Sequence, residues 1–426
     1  MNQFKTRGYG HASIWVGSAA VGIAAILYAR MVNVAQAYYL KMFHQHALII
    51  SSLAPLFFLA ATGLVRRFAP DAKGSGIPQV LEAIEMTEKP ATAQSAWSTD
   101  LVSMKTAGVK VLSSLVGFLG GASIGREGPT VQIAASSFAW IAKITKKKVP
   151  HISLHGYLVA GAAAGVAAAF NTPLAGITFA IEEIAENAFG AFRQMVMLSV
   201  IIAGITAQAI LGNYLYFGHP SAEAVTPILL PQALLIGLIA GCAGGAFSKL
   251  LSNPAITKLP EKWWPRALAC GVICGAIGYY TNGASAGTGY EITQTTLSRS
   301  NMDEVNVFFP VLKLITTVLS YLSGMAGGIF SPCLSIGASI GVTVAKLAHF
   351  ANFKACTLMG MVAFFAGAVQ APLTAVIIVM EMTDEHILIL PFMISAFVGH
   401  GIAKTFMKEP LYRVLAKKNM EKNAAK

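Results

Sequence analysis

The chain has 426 residues, 55% of them hydrophobic and only 12% charged, and 31 Lys and Arg outweigh 19 Asp and Glu to give a formal net charge of +12. A soluble globular protein carries about 25% charged residues, so disorder, a coiled coil, collagen and an ordinary cytosolic enzyme are excluded. A mean hydropathy of +0.61 leaves a polytopic helical membrane protein.

A spanning helix needs about 20 apolar residues. In chain order the candidates are Ala12–Tyr28, Ala47–Val65, Gly156–Ile184, Ala191–Leu211, Ala233–Leu251, Ala267–Tyr280, Phe308–Leu322, Thr357–Met382 and Ile387–Met407. Between them, the pieces around Val109–Ile124, Pro129–Ile141 and Ile329–Leu347 are too short or too interrupted to span cleanly. Broken backbone at membrane depth is tolerated only where protein buries it or a cavity borders it, so these pieces point to a binding site. The first apolar run is followed by Arg30 and not by a small-residue cleavage site, so no cleavable signal is expected. Many of the 40 glycines sit inside apolar stretches, as at Gly117–Gly121 and Gly161–Gly165, where small residues let helices approach closely in lipid.

Basic residues gather at segment ends: Lys5 and Arg7; Arg66, Arg67 and Lys73; Lys143, Lys146, Lys147 and Lys148; and Lys404 through Lys426. The positive-inside bias then places both termini and these loops in the cytoplasm, so the net charge reads as topology and not as nucleic-acid affinity. Val32–Tyr39 and Asn213–Thr226 lack Lys and Arg and read as non-cytoplasmic connections. The chain also repeats itself. Gly125-Arg126-Glu127-Gly128-Pro129 is followed about 44 residues later by Pro173-Leu-Ala-Gly, and Gly328-Ile329-Phe330-Ser331-Pro332 about 40 residues later by Pro372-Leu-Thr-Ala. The offset of about 200 residues divides the protein near residue 225 into halves 1–225 and 226–426. The first motif is followed by more lysines than the second, which reads as an inverted second half.

Three segments share the pattern Gly-x-x-x-Pro: Gly74-Ser75-Gly76-Ile77-Pro78, Gly125–Pro129 and Gly328–Pro332. Proline is favoured in the first turn of a helix, where its missing N–H costs nothing, and the glycines permit tight turns and close backbone approach. Each segment therefore reads as a loop feeding a helix N-terminus, whose free N–H groups and positive dipole end favour an anion. Three converging from both halves would make an anion cage without a full positive charge. Such a cage offsets dehydration yet still releases its ion, which favours transport over storage.

Acids at membrane depth cost about 2.5–3.5 kcal/mol on insertion scales and hint at function. Glu127 lies inside the second motif, where its carboxylate can stand in for the anion and protonation can release it. Glu182 and Glu183 end one long apolar run, and read equally well as a helix end emerging among headgroups. Glu381, with Asp384 and Glu385 following, reads as a wet helix end.

Other patterns carry less. Cys242, Cys270, Cys274, Cys333 and Cys356 read as packed thiols, with no histidine near to complete a metal site. His151 and His155, four apart, lack a third ligand and read as a solvated loop. Gly121-Ala-Ser123-Ile-Gly125 and Gly337-Ala-Ser339-Ile-Gly341 match a hydrolase nucleophile elbow, but the strand it needs is replaced by Gly/Ala-rich membrane segments. Small-residue helix packing is the preferred reading; an intramembrane hydrolase using Ser123 or Ser339 is the rival from another class. Neither a catalytic residue nor a metal nor a cofactor is expected.

Together these motifs resemble the CLC family of chloride channels and chloride/proton antiporters. Carrying the resemblance are the three Gly-x-x-x-Pro segments, Thr130-Val-Gln132, Gly161 to Asn171, Pro173-Leu-Ala-Gly176 and Ile181-Glu-Glu183. Ala371-Pro-Leu-Thr374, Glu381-Met-Thr-Asp384 and Pro410-Leu-Tyr412 complete the set, so it spans residues 74 to 412 in the family's order. The resemblance implies an all-α fold of two inverted halves with broken, re-entrant helices. It implies a homodimer with one anion pathway per subunit, set in a prokaryotic inner membrane. Chloride and protons are then the transported ions.

Matched position by position, Ser75 and Tyr412 fall where hydroxyls bind the central chloride. Ile329 and Phe330 fall where backbone amides do. Glu127 matches the external gating glutamate and Glu183 the internal glutamate that passes protons to the cytoplasm in antiporters. Most channel members lack that internal acid, so Glu183 argues for a proton-coupled antiporter over a passive channel. Ser75 fits chloride preference, since nitrate-preferring relatives carry proline there; Ser75 and Tyr412 also disfavour a fluoride-selective relative. Gln79 and Leu81 depart from acids found in some members. The chain ends soon after Tyr412, so the nucleotide-binding CBS pair of eukaryotic members is not expected.

Overall fold

The computed structural model describes residues 2–88, 100–146, 152–184, 189–212, 215–220, 226–253, 256, 262–298 and 306–424. In chain order, α1 runs Asn2–Phe68, α2 Ile77–Glu88, α3 Met104–Leu119, α4 Glu127–Thr145, α5 Leu154–Phe170 and α6 Pro173–Phe179. A π-helical turn at Ala180–Ile184 leads on to α7 Phe189–Leu211, α8 Leu229–Ser252, α9 Trp263–Tyr280, α10 Tyr290–Ser298 and α11 Phe309–Ser323. The last five are α12 Phe330–Leu347, α13 Phe353–Val369, α14 Pro372–Thr383, α15 Ile389–Phe406 and α16 Leu411–Ala424. Among the described residues the only sheet-like pairings are two isolated bridges. The all-α membrane fold expected from composition is the one found. The boundary near residue 225 lies outside the described residues, as do His151, Lys147, Lys148 and part of Asn213–Thr226.

Among the described residues, five helical stretches are long and apolar enough to cross a bilayer: Ala12–Phe68, Phe192–Leu211, Leu229–Ser252, Phe330–Leu347 and His386–Glu421. The first corrects the sequence reading. Val32–Tyr39 is not a connection but part of α1, which breaks only at His46 (φ −141°, ψ 52°). Val32, Ala35, Tyr39 and Phe43 are buried at spacings of three and four, so one face of the helix continues straight through this stretch.

Two runs that hydropathy joins are broken in the structure. Gly156–Ile184 divides at Asn171 (φ 59°, ψ 38°) into α5 and α6. Thr357–Met382 divides at Gln370 (φ 64°, ψ 31°) into α13 and α14. Each break residue adopts the left-handed C-cap conformation, and its N–H returns to a carbonyl of the ending helix, Ala167 or Ala366. Proline then opens the next helix at Pro173 or Pro372, a residue suited to a first turn. The same break appears once in each half.

Glycine fixes how closely the helices approach. A Cβ at Gly161 would lie 2.8 Å from Phe138 Cβ, and one at Gly165 would lie 2.8 Å from Ala134 Cβ, so α4 and α5 touch almost backbone to backbone. In the second half Gly337 and Gly341 of α12 seat likewise against Met361 and Thr357 of α13, with Cβ positions only 2.8 and 2.9 Å from their Cα atoms. Without a hydrophobic force between helices in lipid, such close van der Waals packing is what holds them.

Candidate functional site

The three Gly-x-x-x-Pro segments meet. Gly125 and Gly328 exchange both backbone hydrogen bonds, Gly125 N–H donating to Gly328 O at 2.6 Å and Gly328 N–H to Gly125 O at 2.7 Å. Gly74 N–H donates to Met325 O at 2.8 Å, and Gly327 N–H returns to Gly74 O at 3.0 Å. Gly74 and Gly76 hold φ values of +61° and +101°, which L side chains rarely adopt. Gly128 lies so close against Ser75 that any Cβ there would clash with it. The backbone pairing thereby points the N-termini of α2, α4 and α12 into one place.

Glu127 opens α4, is 1% exposed, and reaches across to the second half. Its Oε2 accepts the N–H of Ser331 at 3.4 Å, in the first turn of α12. First-turn amides have no intrahelical acceptor, so the carboxylate occupies a position built for an anion. Arg126 stands beside it, with Nε 3.8 Å from Glu127 Oε1. The guanidinium lies 5.5 Å from the Tyr216 ring centroid and donates from Nη1 to Asn33 Oδ1 at 3.4 Å. Ile329 is the N-cap of α12 and Phe330 its first residue, so both expected amide donors lie at the same helix end.

The Ser75 hydroxyl, in the turn before α2, and the Tyr412 hydroxyl of α16 face each other, both buried and without a well-formed hydrogen bond inside the chain. Two buried hydroxyls with no partner beyond each other fit an anion that would accept from both. Cys333 and Glu183 lie within electrostatic range of Tyr412. Glu183 itself is 1% exposed and sits in the π turn that follows α6. Between the two ends lies an aromatic cluster. Phe330 is 4.9 Å from Phe170, 6.3 Å from Phe179 and 4.2 Å from Phe365, centroid to centroid.

The neighbouring acids have a different duty. Glu182 accepts from Leu373 N–H at 3.0 Å and from Thr374 N–H and Oγ1–H at 2.7 Å each, capping the N-terminus of α14. Glu381 does the reciprocal, accepting from Leu174 N–H at 3.1 Å and Ala175 N–H at 2.8 Å to cap α6. Glu381 is therefore not a wet helix end, nor does Glu182 merely emerge among headgroups. Each carboxylate compensates the dipole of a helix from the opposite half.

His155 is also corrected: it is buried in α5, with Nδ1 3.0 Å from Thr87 Oγ1 and its ring 4.9 Å from Phe192. The Ser123 hydroxyl pairs with Thr317 Oγ1 at 2.8 Å, and that of Ser339 donates to Ser335 O at 2.8 Å. Neither serine has a histidine partner in those bonds. Cys270, Cys274, Cys333 and Cys356 are buried thiols, whereas Cys242 is exposed on α8.

Two lysines escaped the segment-end pattern. Lys110 is fully buried in α3, donating to Gly74 O at 2.9 Å and Lys73 O at 3.4 Å. Lys313 is fully buried in α11, donating to the carbonyls of Ser285 at 2.9 Å, Ala286 at 3.2 Å and Gly287 at 2.9 Å. The two turns they hold, Gly74-Ser75-Gly76 and Gly287-Thr288-Gly289, share positive φ at both glycines. A lone lysine amid apolar helix sequence is the signal that could have found them. Lys110→Met is expected to lower stability by about 1.5–3 kcal/mol, the scale of a hydrogen bond from a charged donor, while Gly74 O keeps the Gly327 N–H and Lys73 O keeps Gln79 Nε2. Thermal unfolding in detergent measures it, and an unchanged midpoint would show that the clamp contributes nothing.

Comparison with known proteins follows the same lines. Residues 56–404 match the family described as Voltage gated chloride channel. The H(+)/Cl(-) exchange transporter ClcA of Salmonella typhi is 32% identical over 406 residues, covering 89% of this chain and 82% of the relative. The ClcA of Salmonella paratyphi A is 31% identical over the same extent. Among solved structures, a slow cyanobacterial Cl-/H+ antiporter superimposes with a TM-score of 0.81 at 24% identity, covering 96% of this chain and 98% of that one. A CLC-type fluoride/proton antiporter gives 0.76 at 21% identity, with coverage of 96% and 98%. A eukaryotic CLC transporter gives 0.75 at 20% identity, with coverage of 96% and 74%.

Proposed function

The chain belongs to the voltage-gated chloride channel family, and on that premise we propose that it exchanges chloride for protons across a prokaryotic inner membrane. The observation that carries this reading is the Glu127 carboxylate seated on the Ser331 amide, an ionisable group in an anion's position. A carboxylate that competes with the transported ion links the two equilibria. Protonation removes the charge that holds Glu127 at the helix end, an anion takes the place, and proton and anion binding favour each other reciprocally. Hydroxyls of Ser75 and Tyr412, with the amides of Ile329 and Phe330, hold chloride at the central position. Neutral dipoles hold it without trapping it.

Glu183 supplies the inner end of the proton path. It is a buried acid near Tyr412, and a passive channel has no use for it. Protons cross from Glu127 to Glu183 past the Phe170, Phe179, Phe330 and Phe365 cluster, where transient water is the carrier. Because all these residues come from one chain, each subunit of the proposed homodimer has its own pathway. Both termini and the lysine-rich loops face the cytoplasm in this reading. The halves divide near residue 225.

Purified protein in liposomes tests it. An outward chloride gradient is expected to drive protons inward against their own gradient. Chloride flux without any proton movement would overturn the exchange reading in favour of a channel.

A further inference from the structure

We propose that the Ser331 hydroxyl is a side-chain ligand for the anion at the outer end of the pathway, and that it tunes the choice among anions there. Three observations meet at this residue. Its backbone N–H already holds the Glu127 carboxylate, so an anionic oxygen occupies the end of α12 in this structure. Its hydroxyl is buried, in a residue only 6% exposed, and makes no hydrogen bond. The same residue borders a narrow gap, too tight for a water molecule while Glu127 holds the helix end, between Tyr216, Phe217, Thr288, Tyr290 and Ser335. Most buried hydroxyls find a partner within the fold, and one that does not is out of the ordinary.

The surroundings explain why nothing in the fold satisfies it. Ser335, one turn along α12, spends its hydroxyl on Gly289 O at 3.2 Å. The Thr288 hydroxyl accepts the Tyr290 N–H at 3.2 Å. Tyr216 and Phe217 stand ring to ring with Tyr290, at 5.0 and 5.6 Å between centroids, and present apolar faces. A serine in the first turn of a helix can add its O–H to the turn's own amide donors. When Glu127 leaves, an anion at the end of α12 gains this extra donor, as the central position gains Ser75 and Tyr412.

The inference rests on the exchange reading above and adds a ligand to it. A hydroxyl donor repays more of the dehydration of a small, strongly hydrated anion than of a large, weakly hydrated one. It therefore favours chloride over thiocyanate.

The test uses purified wild-type protein, Ser331→Ala and Ser331→Thr, each alone and combined with Glu127→Gln. Equilibrium chloride binding is measured by calorimetry and chloride-to-thiocyanate selectivity by flux from liposomes. Ser331→Ala is expected to weaken chloride binding about tenfold at the outer position, the scale of one hydrogen bond to a charged group. The effect should be largest beside Glu127→Gln, where no carboxylate competes, and selectivity should move towards thiocyanate. Ser331→Thr, which keeps the hydroxyl, should restore both. Chloride binding and selectivity within twofold of wild type in Ser331→Ala would overturn the assignment while leaving exchange intact. If wild type binds no chloride, both readings fall together. Should Ser331→Ala not fold, Ser331→Gly removes the same hydroxyl and is judged by the same outcomes.

Discussion

Glu127→Gln is expected to uncouple the protein completely: a pH gradient no longer drives chloride uptake into liposomes, while chloride still moves down its own gradient. Glutamine matches glutamate in size and keeps an oxygen that can accept from the Ser331 N–H. It carries neither a proton to exchange nor a charge to hold the helix end. Hydrogen bonds to an ionised group are roughly twice as strong as those between neutral groups, so the neutral amide yields its place to an anion more readily. Chloride should accordingly bind more tightly in the variant than in wild type. Persistent pH-driven uptake by Glu127→Gln would remove this residue from the proton path.

The second large effect separates the two ions. Glu183→Gln is expected to keep chloride flux within a few-fold of wild type and to lose proton movement. The nearest replacement acid cannot substitute, because the Glu182 carboxylate is already engaged by Leu373 and Thr374. The π turn at Ala180–Ile184 holds Glu183 buried and leaves Glu182 half-buried at the α14 cap. A π turn inside helical sequence often marks a functional position. Simultaneous proton and chloride recordings decide it, and proton pumping retained by Glu183→Gln would place the inner proton acceptor elsewhere.

Much of the site could be read in the sequence for a simple reason. Gly-x-x-x-Pro is a local code in which glycine permits the turn and proline starts the helix, so Gly74, Gly125 and Gly328 announced three helix ends before any contact was known. Glu127 stood out because charge in an apolar run is costly, whereas Glu183 was set apart from Glu182 only by the family resemblance. Lys110 and Lys313 carried the same kind of cost yet were overlooked, since basic residues were weighed as topology markers at segment ends. Glu381 was misjudged because its partners, Leu174 and Ala175, lie some two hundred residues earlier in the chain.

Sequence alone settled the all-helical membrane class, the breaks expected at glycine and proline, and the acids worth watching, because each follows from the composition and order of neighbouring residues. Hydropathy could not place the breaks at Asn171 and Gln370, since apolar character runs unbroken across both. Only the tertiary structure set the Glu127 carboxylate on the Ser331 amide, crossed the Glu182 and Glu381 caps between halves, and left the Ser331 hydroxyl without a partner. Those facts depend on which distant segments meet. That is decided by pairings across the halves, such as Gly125 with Gly328 and Gly74 with Met325 and Gly327, which no local pattern records.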